Sequence, residues 1–113
     1  MTIETNRQGH ATDPHGGTED LRAGTPVLDA KSVVVLLHGR GANAEGMISL
    51  FRDLGLEGHA AVAPRASGNT WYPRSFLAPL ESNQPELDSA LGRVAGVVGR
   101  LLDTGVPSER IVL

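Results

Sequence analysis

Short, continuous apolar runs mark the strands that the sequence predicts. The strongest is a run of three valines and two leucines at 33–37, bounded by polar residues. It predicts a strand over 32–37 that is buried on both faces, as strands of parallel sheets are. A weaker stretch at 21–28 contains Gly24 and Pro26, which is typical of a sheet edge. Further strands are predicted at 60–63, closed by Pro64, and from Ile111 onward.

Amphipathic stretches between these runs predict two helices. The first follows Asn43, whose side chain suits an N-cap, and it ends at Gly55, which suits a left-handed C-cap. The second is expected to start at Asn83, with Pro85 in the first turn and Glu86 completing a capping box. Its predicted apolar stripe consists of Leu87, Leu91, Val94, Val98 and Leu101, and Gly105 with Pro107 ends it.

The order of these elements predicts the class of the fold. Strands and helices alternate after residue 21, which favours an α/β fold with a parallel sheet core and crossover helices. Residues 1–20 are polar with almost nothing apolar, so we expect a disordered tail there and a single domain over 21–113. The last apolar run is only three residues long, and we therefore expect the sequence to be cut off within its fold.

Composition narrows the classes of partner. The formal net charge is -3 and the basic residues are scattered, which argues against a nucleic-acid partner. The absence of cysteine excludes disulfides and thiolate metal sites, and it fits a reducing compartment. The aliphatic run at 33–37 is far shorter than the roughly 20 residues that cross a bilayer. We expect a cytoplasmic protein with no transmembrane segment and no cofactor, and the spacing of His10, Asp13 and His15 matches no metal site.

A glycine-rich corner at 38–44 follows the strongest strand and opens the first helix. Ligands of parallel sheets gather at this edge. Gly39 and Gly41 let the backbone turn sharply, so that the amide of Arg40 between them can point into a site. Such a donor stabilises the oxyanion of a tetrahedral intermediate, typically by about 3 kcal/mol. One interpretation of the corner is therefore half of an oxyanion hole.

The same glycines allow two other interpretations. Gly39 and Gly41, with Ala44 in the third place, match the relaxed dinucleotide-binding fingerprint. That fingerprint expects an acidic residue about 20 residues further on. Pro64 and Arg65 stand there instead, although an arginine suits a phosphorylated ribose. The corner is also compatible with a turn that only lets strand and helix pack, so the motif alone leaves all three interpretations open.

The wider sequence resembles the phospholipase/carboxylesterase family of α/β-hydrolases, which includes the acyl-protein thioesterases. The run at 33–41, ending in His38-Gly39-Arg40-Gly41, is similar to the family's strand and oxyanion loop. Residues 60–65 resemble the family's next strand, and 69–72 resemble its aromatic loop. The stretch 105–113 is similar to the approach to the nucleophile strand. The likeness covers residues 28–113.

This resemblance implies the N-terminal half of an α/β-hydrolase that stops before the nucleophile elbow. In the family a G-x-S-x-G elbow comes next, and the Asp and His of the triad follow later. None of the three has a counterpart in this sequence. The resemblance does assign an oxyanion-hole role to the backbone of Arg40, with Gly39 and Gly41, and a substrate-binding role to Trp71 and Tyr72.

The leading hypothesis is a fragment of a serine ester hydrolase of the carboxylesterase, lysophospholipase or acyl thioesterase type. Its substrate would be a small-molecule ester or acyl thioester, and the 113-residue chain itself is expected to be inactive. His38 precedes the nucleophile position, which is the wrong order for this family's base, so we expect it to bond within its own loop. The alternatives are a dinucleotide-binding Rossmann half-domain and a non-catalytic remnant.

Overall fold

The structure is a computed structural model that describes residues 13–113. Within this range the chain forms four strands and two α-helices. No helix in the described range has both the length and the apolar character that a membrane span requires. The strands are β1 (Asp20–Gly24), β2 (Val33–Val35), β3 (Ala60–Pro64) and β4 (Ile111–Val112), and the helices are α1 (Ala44–Leu54) and α2 (Glu86–Thr104).

The four strands form one mixed sheet in the order β1-β3-β2-β4. Strand β2 is parallel to both of its neighbours, with Val34 opposite Ala61 of β3 and Val112 of β4. Strand β1 is antiparallel to β3, and it starts with Asp20 opposite Pro64. The predicted α/β fold with a parallel core is therefore confirmed, and an antiparallel edge strand is added to it.

A helix covers each face of the sheet. On one face Ile48 and Phe51 of α1 cluster with Ala61 of β3. On the other face Leu101 of α2 clusters with Val62, the next residue of β3. Successive side chains of a strand point to opposite faces, so a strand between two helical layers is buried along its whole length. All five residues of β3 are buried accordingly.

Helix α1 begins and ends as the sequence predicts. The Asn43 side chain accepts a hydrogen bond from the Gly46 amide at 2.8 Å, which satisfies one of the free N–H groups of the first turn. Gly55 adopts the left-handed conformation with φ 63°, and its amide donates to the Arg52 carbonyl at 3.1 Å. Both predicted ends are confirmed.

Helix α2 begins differently from the prediction. Asn83 does not cap it, because its side chain accepts from the Arg74 amide and donates to the Ser75 carbonyl. The first turn is capped by Gln84 instead, whose Oε1 accepts from the Asp88 amide at 3.1 Å. Asn83 is thus the last residue of a short 3-10 helix, Leu80–Asn83, and the capping-box prediction was wrong.

The buried face of α2 is rotated relative to the predicted stripe. Leu91 is 62% exposed, whereas Val97 and Leu101 are buried. The reason is Arg93, which pattern analysis counts as polar but which is buried in an ion pair with Asp20. The residues that α2 buries are Ser89, Ala90, Arg93, Val97 and Leu101.

Residues 13–20 are packed on the domain, although the sequence predicted a disordered tail over 1–20; residues 1–12 of that tail lie outside the described residues. His15 is 1% exposed, and its backbone N–H donates to the Ser89 hydroxyl at 2.9 Å. Arg93 donates to the Thr18 hydroxyl at 2.9 Å. Structure and prediction differ because hydrogen bonds, rather than the burial of apolar side chains, hold these polar residues in place. The pattern of hydrophobic residues gives no signal for such hydrogen bonds.

Candidate active site

The glycine-rich corner lies beyond the carboxyl end of β2. Leu36 still donates to the Val62 carbonyl at 2.9 Å, and the chain then turns through 38–41 into α1. Strand β4 runs parallel to β2, with Val34 opposite Val112. The carboxyl ends of both strands therefore point to one edge of the sheet, and the corner lies at that edge.

His38 is a buried residue of this corner and is 2% exposed. Its Nε2 accepts from the Ala66 amide at 3.1 Å. Its Nδ1 lies 2.9 Å from the Gly39 carbonyl, to which the neutral imidazole donates. Both ring nitrogens are used by backbone groups, so neither is available to accept a proton from a nucleophile.

The backbone amides of the corner divide into bound and free donors. The Gly41 amide donates to the Asn69 carbonyl at 2.9 Å, and the Ala42 amide donates to the Gly39 carbonyl at 3.1 Å. The Arg40 amide donates to no acceptor among residues 13–113. Gly41 has φ 76°, a conformation in which an L side chain is strained, and a Cβ on Gly39 would meet no atom within 4 Å. The corner thus combines a glycine with positive φ, open space at Gly39 and an amide that has no acceptor among the described residues.

The aromatic pair lies directly against this corner. Trp71 Nε1 donates to the His38 carbonyl at 2.9 Å, and the two rings stack with centroids 5.1 Å apart. The Arg40 guanidinium lies over the Tyr72 ring, 5.6 Å from its centroid. A cavity of about 200 Å³ opens between these groups, and it is lined by His38, Gly39, Arg40, Trp71 and Tyr72.

The guanidinium of Arg40 is fixed as well. It donates to the Pro73 carbonyl at 2.9 Å and to the Arg74 carbonyl at 2.7 Å. The guanidinium of Arg40 therefore binds residues 73 and 74, which directly follow the aromatic loop at 69–72. This role of the Arg40 guanidinium was not predictable from local residues, because the two carbonyls belong to residues more than thirty positions away.

His15 is the residue near the site that the sequence analysis missed. Its Nδ1 accepts from the Ser67 amide at 3.0 Å, and its Nε2 lies 2.6 Å from the Trp71 carbonyl. A local signal for it does exist, because Asp13-Pro14-His15-Gly16 has the residue types of a type I turn. The Gly16 amide indeed donates to the Asp13 carbonyl at 3.1 Å. The turn was overlooked because it stands within an otherwise polar stretch.

Arg65 is held by two carboxylates, which bears on the dinucleotide alternative. It donates to Glu45 at 2.7 Å and 3.0 Å and to Glu19 at 3.0 Å. The hydrogen bond from Arg65 lowers the pKa of Glu45, and the bond to Glu45 raises the pKa of Arg65. A guanidinium engaged in this way is not free for a ribose phosphate. Among the described residues, 13–113, no three His, Asp or Glu side chains are grouped as metal ligands.

Comparison with known proteins places this geometry in context. No protein-family model and no curated protein matches the chain. A solved phospholipase/carboxylesterase from Dyadobacter fermentans is 48% identical, with a TM-score of 0.78. The match covers 83% of this chain and 45% of that protein, so the chain spans less than half the length of its relative, in agreement with the predicted N-terminal half. The resemblance of this chain to the phospholipase/carboxylesterase family, read first from its sequence, is therefore confirmed in sequence and fold.

Proposed function

We propose that this chain supplies the oxyanion loop and part of the acyl pocket of a serine ester hydrolase. The observation that carries the proposal is the Arg40 amide at the carboxyl edge of the sheet, which has no acceptor among residues 13–113 and belongs to a residue that lines a cavity with aromatic walls. The similarity to a phospholipase/carboxylesterase supports a hydrolase. The substrates proposed are carboxylic esters, lysophospholipids or acyl thioesters.

The chemistry requires two donors for the developing negative charge. When a serine oxygen attacks the acyl carbon, the carbonyl oxygen becomes an oxyanion, and fixed N–H groups stabilise it more strongly than they stabilise the substrate. The Arg40 amide is the donor from this chain. The second donor in such hydrolases is the amide after the nucleophile, which would follow β4 at the same edge. Trp71 and Tyr72 would form the wall against which the acyl group packs.

None of the seven serines of the sequence stands in the G-x-S-x-G pattern of a nucleophile elbow. Ser89 donates to Asp13 at 2.5 Å and accepts from the His15 amide. Ser32 lies 2.6 Å from Nδ1 of His59, but both residues precede their strands and so lie at the opposite edge of the sheet. We therefore propose that the 113-residue chain has no esterase activity by itself.

Two measurements test the hydrolase assignment. The coding sequence after Leu113 is expected to read through β4 into a G-x-S-x-G elbow. The product that includes this elbow and the later triad residues is expected to hydrolyse a short activated ester, whereas the 113-residue chain should not. Turnover by the short chain would contradict the missing-nucleophile argument, and an inert long product would contradict the enzyme assignment.

A pair of substitutions isolates the oxyanion donor in the active form. Arg40→Pro removes the amide hydrogen and the guanidinium, whereas Arg40→Ala removes only the guanidinium. We expect kcat of the proline variant to be about 100-fold to 1000-fold below that of the alanine variant, the usual effect of losing one oxyanion donor. Equal kcat values for the two folded variants would show that this amide does not act on the oxyanion.

Two further parts of the proposal concern the class of substrate and the cellular location of the protein. The scattered basic residues and net charge of -3 support a small-molecule substrate rather than a nucleic acid. The cysteine-free composition supports a reducing, cytoplasmic location. Each is open to direct test, by binding assay and by imaging of the tagged protein.

A further inference from the structure

Trp71 is held between two buried histidines that come from distant parts of the chain. Its ring centroid lies 5.2 Å from that of His15 and 5.1 Å from that of His38. The adjacent amides of Ala66 and Ser67 each donate to one of these imidazoles, at 3.1 Å and 3.0 Å. The other nitrogen of His15 donates to the Trp71 carbonyl, 2.6 Å away. The His15 side chain thus binds both Ser67, which precedes the aromatic loop, and Trp71 within it.

We propose that His15 is a positioning residue for the acyl pocket, acting through Trp71. This inference rests on the proposed function for its catalytic meaning, but the hold on Trp71 is a property of the described structure alone. His15 does not line the cavity between the corner and the aromatic pair, so it acts from behind the wall. A tryptophan fixed at its carbonyl by His15 and at its indole N–H by the His38 carbonyl has little freedom to swing out of the pocket.

His15 is itself anchored firmly enough to serve as a support. The tight turn that begins at Asp13 presents it, and the Gly16 amide closes this turn by donating to the Asp13 carbonyl at 3.1 Å. Ser89 of α2 accepts from the His15 amide and donates to Asp13. The Thr18 hydroxyl donates to the His15 carbonyl at 2.9 Å. Residues 13–18 therefore form a strap that joins α2 to the aromatic loop.

The two ring nitrogens of His15 have separable functions. An asparagine amide oxygen can replace Nδ1 as the acceptor for Ser67 but is too short to reach Trp71. A glutamine amide nitrogen can replace Nε2 as the donor to Trp71. If the Trp71 contact is what positions the pocket wall, His15→Gln should preserve the position of Trp71, and His15→Asn should not.

Fluorescence tests this without any need for catalysis, because Trp71 is the only tryptophan of the chain. In His15→Ala we expect a red shift of emission toward that of the denatured chain and greater quenching by acrylamide. The fraction of molecules with Trp71 undocked should rise about fivefold to tenfold, as expected when the part-buried hydrogen bond to its carbonyl is lost. His15→Gln should stay near the wild type, and His15→Asn should follow the alanine variant.

The matched control is His59→Ala, which removes another hydrogen-bonded histidine at the opposite edge of the sheet. Its tryptophan emission should equal that of the wild type, with folding of every variant checked by circular dichroism. If His15→Ala does not fold, the comparison of the glutamine and asparagine variants decides the question. Wild-type emission in all folded His15 variants, or a glutamine variant no closer to wild type than the asparagine variant, would overturn the proposal.

Kinetics of an esterase-active form then separate this inference from the proposed function. A displaced pocket wall weakens binding of substrate and transition state alike, so His15→Asn should raise KM and leave kcat unchanged. A fall in kcat with unchanged KM would overturn the pocket role. Emission changes in a protein that has no esterase activity in any form would contradict the proposed function and still support the hold of His15 on Trp71.

Discussion

Asn43 connects the candidate oxyanion loop to the helix that follows it. Asn43 lies two residues after Gly41, and its side chain accepts a hydrogen bond from the Gly46 amide at 2.8 Å. We expect Asn43→Ala to lower the free energy of unfolding by about 1 kcal/mol, the usual value for a lost N-cap, and to loosen the corner with it. Urea unfolding would measure this. Asn43→Asp keeps an acceptor and should remain near the wild type, and an equal loss in both variants would rule out the capping contact as the cause.

The Glu45–Arg65 pair gives a pH dependence with a defined sign. Hydrogen bonding by Arg65 lowers the pKa of Glu45 below its ordinary 4.5. A carboxyl whose pKa is lower in the folded state stabilises the fold above its unfolded pKa, and this contribution disappears as the pH falls through the folded value. The advantage of the wild type over Glu45→Gln should therefore be present at neutral pH and vanish in acid.

This difference should be small and sensitive to salt, because Glu45 is exposed to solvent. Urea titrations of both proteins across the acid range, at low and high salt, would check it. Glu57→Gln is a suitable control, since Glu57 is also exposed and its carboxylate forms no ion pair with another described residue. An advantage of the wild type that grew as the pH fell would contradict the assigned direction of the pKa shift.

At the scale of elements, α2 offers two leucines that the sequence treated alike and the structure separates. Leu101 is 1% exposed within the core beneath the sheet, whereas Leu91 is 62% exposed. Leu101→Ala should lower the free energy of unfolding by about 2–5 kcal/mol through lost burial and a cavity. Leu91→Ala should change it by no more than about 0.5 kcal/mol. Urea unfolding midpoints of the two variants would measure these changes. Similar losses in both variants would support the buried stripe that the sequence predicted.

The difference between α2 and the central strands shows what the pattern of a sequence can determine. Strand β3 is apolar at every position and has only one way to be buried, so its placement followed directly from the sequence. Helix α2 carries apolar residues around much of its circumference, so several stripes were possible. The choice among them was made by Arg93, whose burial depends on Asp20, a residue far away in the sequence.

The candidate site shows the same contrast between residues that the sequence indicates and contacts that depend on distant parts of the chain. Gly39, Arg40 and Gly41 became candidates because a local backbone requirement is indicated by local residue types, and Trp71 and Tyr72 became candidates through a family resemblance. The contacts that join these two segments are long-range hydrogen bonds to carbonyls and amides, as from Arg40 to Pro73 and from His15 to Trp71. Every residue has such backbone groups, so nothing in the sequence marks the ones that will be used.

For the whole molecule, the two outermost strands of the sheet, β1 and β4, differ in how they resist pairing with another chain. Strand β1 closes one edge with five residues and an exposed charged side chain, Arg22. Strand β4 forms the other edge, where Val112 is 46% exposed and Leu113 is 73% exposed. A free strand edge with apolar side chains is a template for pairing with another chain, whereas a charged side chain on an edge opposes such pairing.

We therefore expect the 113-residue chain to associate with itself through β4 as its concentration rises, and Val112→Lys to weaken that association. Sedimentation velocity over a range of concentrations would measure it. Leu50→Lys is the matched control, because Leu50 is 49% exposed and lies on α1, away from the β4 edge. A wild-type chain that stays monomeric at every concentration would contradict this use of the edge. An equal effect of the two lysines would assign the association to exposed apolar area in general. If only Val112→Lys weakens the association, the exposed edge of β4 is the surface through which two copies of the chain pair.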